Sequence, residues 1–436
     1  MKKIAITLGV LWVVLLLGYG TYWLFFRSTT GTGGSTATST DPSFGTLFPT
    51  SNTKTGEITK QNSGSTSSTT DSSGNSDTGT TNGGAVAINP KNNGHFTQIT
   101  NTAVGGAAII PTKDGSFALE YAEKASGHLF TVAPGSKSGV KLTNTTVASV
   151  QEALWNNTGD SVILRSYANE AHTVQNLLGH IIIATSTTGT AQTGSVSGTL
   201  LPSTIKNVVL SPDRTSFFYL NSSGKGVVGI TTDFGNKTQK QVWSSPVAEW
   251  VVSWPKNDTI MLATKPSATV EGSLYLLNIK TGLTTSAISG IPGLTALANP
   301  GATKAVYSQS TKTGFLSYLL DLKTGATDSF PLNTLPEKCV WSSFDTKIMY
   351  CAAPQNIPFA AYPDAWYQGS VSFVDILWKI DTDAGTATVV GNSSTVKAGG
   401  LDATNLLLDP KEETLYFIDK NTGTVWSLDL TAAAIQ

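Results

Sequence analysis

Charge is scarce in this chain. Asp, Glu, Lys and Arg make up 13% of its 436 residues and leave a formal net charge of -1, so no overall field draws in a polyanion and no nucleic-acid partner is expected. Histidine is rarer still, and His95, His128, His172 and His180 lie scattered without a His-Glu-x-x-His pattern. There is no Gly-x-Ser-x-Gly elbow and no Gly-rich phosphate loop; Gly194-Ser195-Val196-Ser197-Gly198 has its serines in the wrong places for a nucleophile. Cysteine is limited to Cys339 and Cys351, too few ligands for a zinc site and too far from the amino terminus for a lipid anchor. Asp381-Thr382-Asp383-Ala384-Gly385 begins like a calcium loop but lacks the downstream glutamate, and its position matches turns that carry no acid pair. No metal and no cofactor are therefore expected.

One long run that is both uncharged and strongly apolar stands at the start. Lys2 and Lys3 precede Ile4 to Phe26, 23 residues without charge, which as a helix would reach about 35 Å and cross a hydrocarbon core of about 30 Å. Tyr19, Tyr22 and Trp23 cluster near its far end, where aromatic rings favour the interface. Two lysines before the run against Arg27 behind it place the amino terminus in the cytoplasm. Residues 1–27 are thus read as a signal anchor in a single-pass bacterial membrane protein, with the remainder outside; a cleaved signal peptide is the alternative. Residues 28–94 are dominated by Ser, Thr and Gly and read as a disordered linker. Phe44, Leu47 and Phe48 form an apolar island within it, either a docking motif for a partner or a chance cluster touching the bilayer.

From residue 95 onward the sequence repeats. Gln98-Ile-Thr-Asn-Thr-Ala-Val104 returns as Lys141-Leu-Thr-Asn-Thr-Thr-Val147, displaced by 43 residues. Such a period, filled with short apolar strands and turn residues, indicates a β-propeller. Seven first turns can be placed, at Pro111–Gly115, Asn156–Asp160, Ser211–Arg214, Pro255–Asp258, Asn299–Gly301, Ser343–Asp345 and Asp409–Glu412, each followed by a strongly apolar strand. The last blade runs Val425 to Asp429 and lacks a fourth strand, whereas Phe96 to Thr100 matches an outer strand yet precedes the first complete blade. The expected fold is all-β, a seven-bladed propeller over residues 95–436 closed by its amino-terminal strand, which leaves no open sheet edge at the seam.

The Pro-Asp turns, best seen in Ser211-Pro212-Asp213-Arg214, resemble the TolB-like and WD40-like propeller repeats across roughly Asn89 to Leu430. That resemblance implies a scaffold that binds at an annular face and carries over no catalytic residue. The expected function is a membrane-tethered extracytoplasmic binding or scaffolding module for a protein of an envelope assembly or a surface polysaccharide. The alternative is a hydrolase or lyase acting on glycans or peptides.

Blade six departs from the period. The strand ends Asp321 and Asp381 lie 60 residues apart against 43 for the preceding pair, and the excess, about 353–370, is dense in proline and aromatics. Tyr362, Trp366 and Tyr367 offer flat surfaces for a ligand, with Asp364 and Gln368 as polar contacts and Phe373, Asp375 and Trp378 close behind. The same rings can instead bury one another as a lid. Asp364 and Asp375 are the candidate acid and base on the enzyme reading. Cys339 and Cys351 stand symmetrically about Asp345, opposite each other on neighbouring strands and within disulfide reach.

Overall fold

The computed structural model describes residues 95–168, 173–183 and 193–431. The expected anchor at 1–27, the linker at 28–94 with Phe44, Leu47 and Phe48, and His172 lie outside the described residues. Among the described residues no helix is long and apolar enough to cross a membrane.

Seven four-stranded antiparallel sheets follow one another along the chain. Blade one spans Val104 to Lys141, blade two Val150 to Leu201, blade three Ile205 to Ser245, blade four Trp250 to Pro292, blade five Thr295 to Ser329 and blade six Cys339 to Asn392. Blade seven takes Ala403 to Asp429 and, as its outer strand, His95–Gln98. The register there is His95 with Asp429, Phe96 with Leu428, Thr97 with Ser427 and Gln98 with Trp426. The 43-residue echo has this cause: Val140–Lys141 is the outer strand of blade one, as His95–Gln98 is of blade seven.

The first turns of most blades are closed by the same local chemistry. In blade three, Ser211 Oγ donates to Asp213 Oδ1 (2.6 Å) and accepts from Ser216 N (3.0 Å), while Asp213 Oδ1 also accepts from Thr215 N (3.2 Å). The short polar side chains replace backbone partners in the turn, and Arg214 takes a left-handed φ of 52° to complete it. Asn299 does the same in blade five by accepting from Thr303 N and Lys304 N, and Asp409 in blade seven by accepting from Lys411 N and Glu413 N. The second strand of a blade has neighbours on both faces, which is why Phe217-Phe218-Tyr219-Leu220 is buried without alternation.

The core is accordingly divided among the interfaces between blades. Ile163, Leu178, Val208 and Phe217 fill the space between blades two and three, and Val306, Trp341, Met349 and Trp378 that between five and six. Phe96 on the closing strand meets Phe417 edge-on at 6.3 Å, and Ile99 joins Tyr416, Ile418 and Leu119 between blades seven and one. Cys339 and Cys351 are direct register partners in blade six and are joined by a disulfide, with Cα atoms 4.1 Å apart.

Alternating strand direction gives the ring two unlike ends. The turns between first and second strands, and between third and fourth, share one end, called here the turn end. The loops between second and third strands and the crossovers to the next blade share the other, the crossover end.

Candidate functional site

The blade-six insertion lies at the crossover end, between the strands Ile348–Pro354 and Asp375–Asp381. Gln355 N donates to Val374 O (2.8 Å), pinching its base. Within it Ile357, Tyr362, Trp366 and Phe373 form one apolar cluster with Phe315 of blade five and Leu335 of the next crossover. Tyr362 meets Phe315 edge-on at 5.0 Å, and Phe373 stacks on both Tyr362 (5.8 Å) and Trp366 (6.1 Å). Asp364 opens a single helical turn, Asp364–Tyr367, and its Oδ2 accepts from Ala268 N of blade four (2.6 Å). Gly293, with φ of 63°, permits this docking, because a side chain there would collide with Tyr362 O and Ser310 Cβ.

Under the insertion sits a buried charge cluster. Lys338 Nζ lies 2.6 Å from Asp402 Oδ1 and 2.8 Å from Asp375 Oδ2, and all three side chains are fully buried. Lys338 also donates to Ala403 O (2.9 Å) and sits 5.2 Å from the Trp366 ring and 5.5 Å from that of Phe373. Asp402 accepts from Trp366 Nε1 (3.0 Å), Ser372 Oγ (3.2 Å) and Phe373 N (3.0 Å), so a carboxylate from the crossover into blade seven fastens the insertion to the ring. Asp375 Oδ2 further accepts from Ala403 N (2.7 Å), but Oδ1 has no partner among the described residues. Burial opposes the charge of Lys338, yet the two aspartates outweigh it and raise its pKa. Burial, reinforced by Asp402 and opposed by Lys338, pushes Asp375 up to about 7.

Of the residues read from sequence as a binding platform, Tyr362, Trp366, Phe373 and Asp375 come together, and all four are buried. Trp378 faces elsewhere, in the core between blades five and six. Tyr367 is half-buried and its hydroxyl donates to Glu337; Gln368 is exposed just past the helical turn. The rings point inward, in keeping with a lid, because they have an apolar floor and a buried acceptor for the indole N–H. Asp364 and Asp375 bond to different parts of the ring, Asp364 to Ala268 N of blade four and Asp375 to Lys338 Nζ and Ala403 N. Lys338, Asp402 and Glu337 escaped sequence reasoning, since each stands in a crossover with no motif around it. The ring that does reach the surface of the insertion is Phe359, 79% exposed.

Because Asp375 is held above its ordinary range, the folded protein retains a proton that the unfolded chain releases between about pH 4 and 7. Stability from this group is therefore present at low pH and lost as pH rises through about 7. Glu120, buried between blades one and two and also pushed up to about 7 by burial, adds the same sign. Asp375→Asn imitates the protonated side chain. It is expected to unfold like the wild type at about pH 3, below the unfolded-state pKa, but to be more stable at pH 8 by roughly 2–4 kcal/mol, since a pKa displaced by one pH unit on folding corresponds to about 1.4 kcal/mol. Denaturant midpoints at the two pH values check this, and parallel profiles would refute it.

At the opposite, turn end the channel opens into a cavity of about 610 Å³. Its wall is formed by the ends of inner strands from blades one, two, six and seven together with Leu210 and Arg214 of blade three, and includes Ile109, Trp155, Val340, Trp341, Leu407 and Leu408. Arg214 and Asp409 are its charged members. Phe344, 71% exposed, stands beside the lining residue Ser343. Among the described residues no three His, Cys, Asp or Glu side chains are grouped so as to hold a metal ion.

No protein-family model matches the chain, and no curated protein matches it in sequence. Solved structures do match in fold. An oligogalacturonate lyase in complex with manganese superposes with a TM-score of 0.53 at 10% identity, covering 80% of this chain and 96% of the other. The oligogalacturonate lyase of Vibrio parahaemolyticus gives 0.50 at 12% identity over 77% and 97%. At such identities the likeness is one of fold alone: this chain is a seven-bladed β-propeller of the architecture those lyases share.

Proposed function

We propose that this protein is a binding or scaffolding module that engages a protein partner at the turn end of its propeller, held outside the cytoplasm by an amino-terminal membrane anchor. One observation carries the reading: the channel is open and apolar at the turn end, whereas the convergent charged groups are sealed behind Trp366 and Phe373 at the other. A cavity of this volume, with aromatic and aliphatic walls and few polar groups, suits apolar side chains presented by a protein. A polysaccharide needs exposed ring faces, and Tyr362, Trp366 and Phe373 are turned inward. The blade-six disulfide is consistent with an oxidising compartment.

The hydrolase or lyase alternative is favoured by one feature, a lysine between two aspartates beside aromatic rings. It would require the insertion to lift, because none of those three side chains meets solvent.

The test compares Phe344→Asp with Phe359→Asp, both at exposed positions, for recovery of a specific companion from native membranes. Loss with Phe344→Asp alone supports the turn end as the binding face. Loss with Phe359→Asp alone moves binding to the insertion, and depolymerisation of a glycan by the purified chain would replace the reading with the enzyme.

A further inference from the structure

We propose that the channel mouth at the turn end is a docking site for this chain's own segment Phe44-Gly45-Thr46-Leu47-Phe48-Pro49, so that a partner entering the mouth must displace it. The proposal rests on the mouth being the binding end and adds the resident occupant.

The geometry begins with where the folded chain starts. His95 pairs with Asp429, Asp429 with Thr414, and Asp409 N donates to Thr414 O (3.1 Å). These four residues form one row across blade seven, from its outer edge to the channel wall, at the turn end. The preceding sequence therefore joins the ring at the same end as the cavity, in the blade that supplies Leu407, Leu408, Asp409 and Pro410 to its lining. Three strand spacings separate the outer strand from the inner, about 14 Å.

Chain length permits the return. Residues 50–94, 45 in number, lie between the apolar segment and His95 and are rich in Ser, Thr and Gly. Gly- and Ser-rich sequence of that length would have a root-mean-square span of about 35–40 Å, more than twice the distance across the blade. It would present the segment to the mouth at an effective concentration near the millimolar range, so even a weak contact is occupied. The chemistry agrees as well. Phe44, Leu47 and Phe48 carry no charge, and the wall they would meet is Ile109, Trp155, Val340, Trp341, Leu407 and Leu408. Leaving both surfaces in water forgoes about 25 cal/mol for each Å² of apolar area that docking would cover.

Photo-crosslinking of the full-length chain in detergent tests the assignment, with benzoylphenylalanine in place of Phe48 and, as control, of Thr78. The expected product is an intrachain adduct from position 48 that maps to residues 107–111, 340–343 or 407–410 and is missing for position 78. Adding Phe44→Ser and Leu47→Ser should lower its yield at least about tenfold, the change expected when a buried apolar side chain is lost. Adducts that map elsewhere, a yield no greater than the control, or adducts between two copies would each overturn the proposal. The crosslink reports on the segment whether or not a partner binds, so its failure is distinguishable from failure of the binding reading, which the Phe344→Asp comparison addresses.

Discussion

A chain that begins at Ala103 instead of Lys91 is expected to lose most of the stability of the ring. The missing residues include the whole outer strand of blade seven, His95–Gln98, and the link that follows it. With them go the packing of Phe96 on Phe417 and on Leu428, and the burial of Ile99 between blades seven and one. Two further bonds are lost, Ile99 N to Val425 O (2.9 Å) and Val425 N to Thr100 Oγ1 (2.9 Å). Truncating a buried Ile costs about 2–5 kcal/mol, and the half-buried Phe96 adds part of the roughly 3–5 kcal/mol that a fully buried Phe would, against a typical total of about 5–15 kcal/mol for a folded domain. Phe96→Ala with Ile99→Ala in the longer chain should reproduce at least half of the loss. Removing the strand also bares the edge of Val425–Asp429, so the short form should self-associate. Thermal unfolding and sedimentation of the two forms measure both effects; equal midpoints and a monomeric short form would show that the seam does not hold the ring.

The second large effect is expected at Asp402. Asp402→Ala deprives Lys338 of one of its two carboxylates and removes the acceptor of Trp366 Nε1, Ser372 Oγ and Phe373 N in a single step. Breaking a buried ion pair from one side costs about 3–5 kcal/mol, because the remaining charge stays desolvated. The insertion should loosen first, since Asp402 is its main polar tie to blade seven. Limited proteolysis between Phe359 and Gly369 and the near-ultraviolet dichroism of Trp366 should report that before global unfolding. Replacing all three charges, as in Lys338→Met, Asp375→Asn, Asp402→Asn, should restore much of the stability, since an uncharged cluster has no ammonium to desolvate. A single variant as stable as the wild type, with the insertion still protected, would mean that apolar packing among Phe315, Tyr362 and Phe373 suffices.

The parts of this fold that were legible in the chain are those with a local cause. Turns such as Ser211–Arg214 close through their own side chains, so a short window of sequence carries the whole mechanism. The closing strand was legible because Gln98 to Val104 repeats Lys141 to Val147, and equal sequence marks equal position in the ring. The cysteines could be paired because one hairpin holds both. The inward orientation of the insertion had no such cause. Trp366 is buried because Asp402, 36 residues further on, accepts its N–H, and Lys338 reaches the same carboxylate across 64 residues. Nothing near Trp366 in sequence distinguishes a ring that plugs from a ring that displays. The channel mouth was hidden for a related reason: its wall is made of strand ends from five blades, and each contributes only a few ordinary aliphatic side chains.

The hydrogen bond between Thr100 and Val425 joins residues 325 positions apart. On a ribosome adding about 5–20 residues each second, the segment around Thr100 would emerge many seconds before its mate exists. During that interval blades one to six can assemble side by side, but the circle stays an open arc, with one bare flank on blade six and another on blade one. Synthesis order thus makes the nascent arc the most vulnerable species of this protein, and a chaperone that shields exposed sheet surfaces would be needed most in the last moments before release.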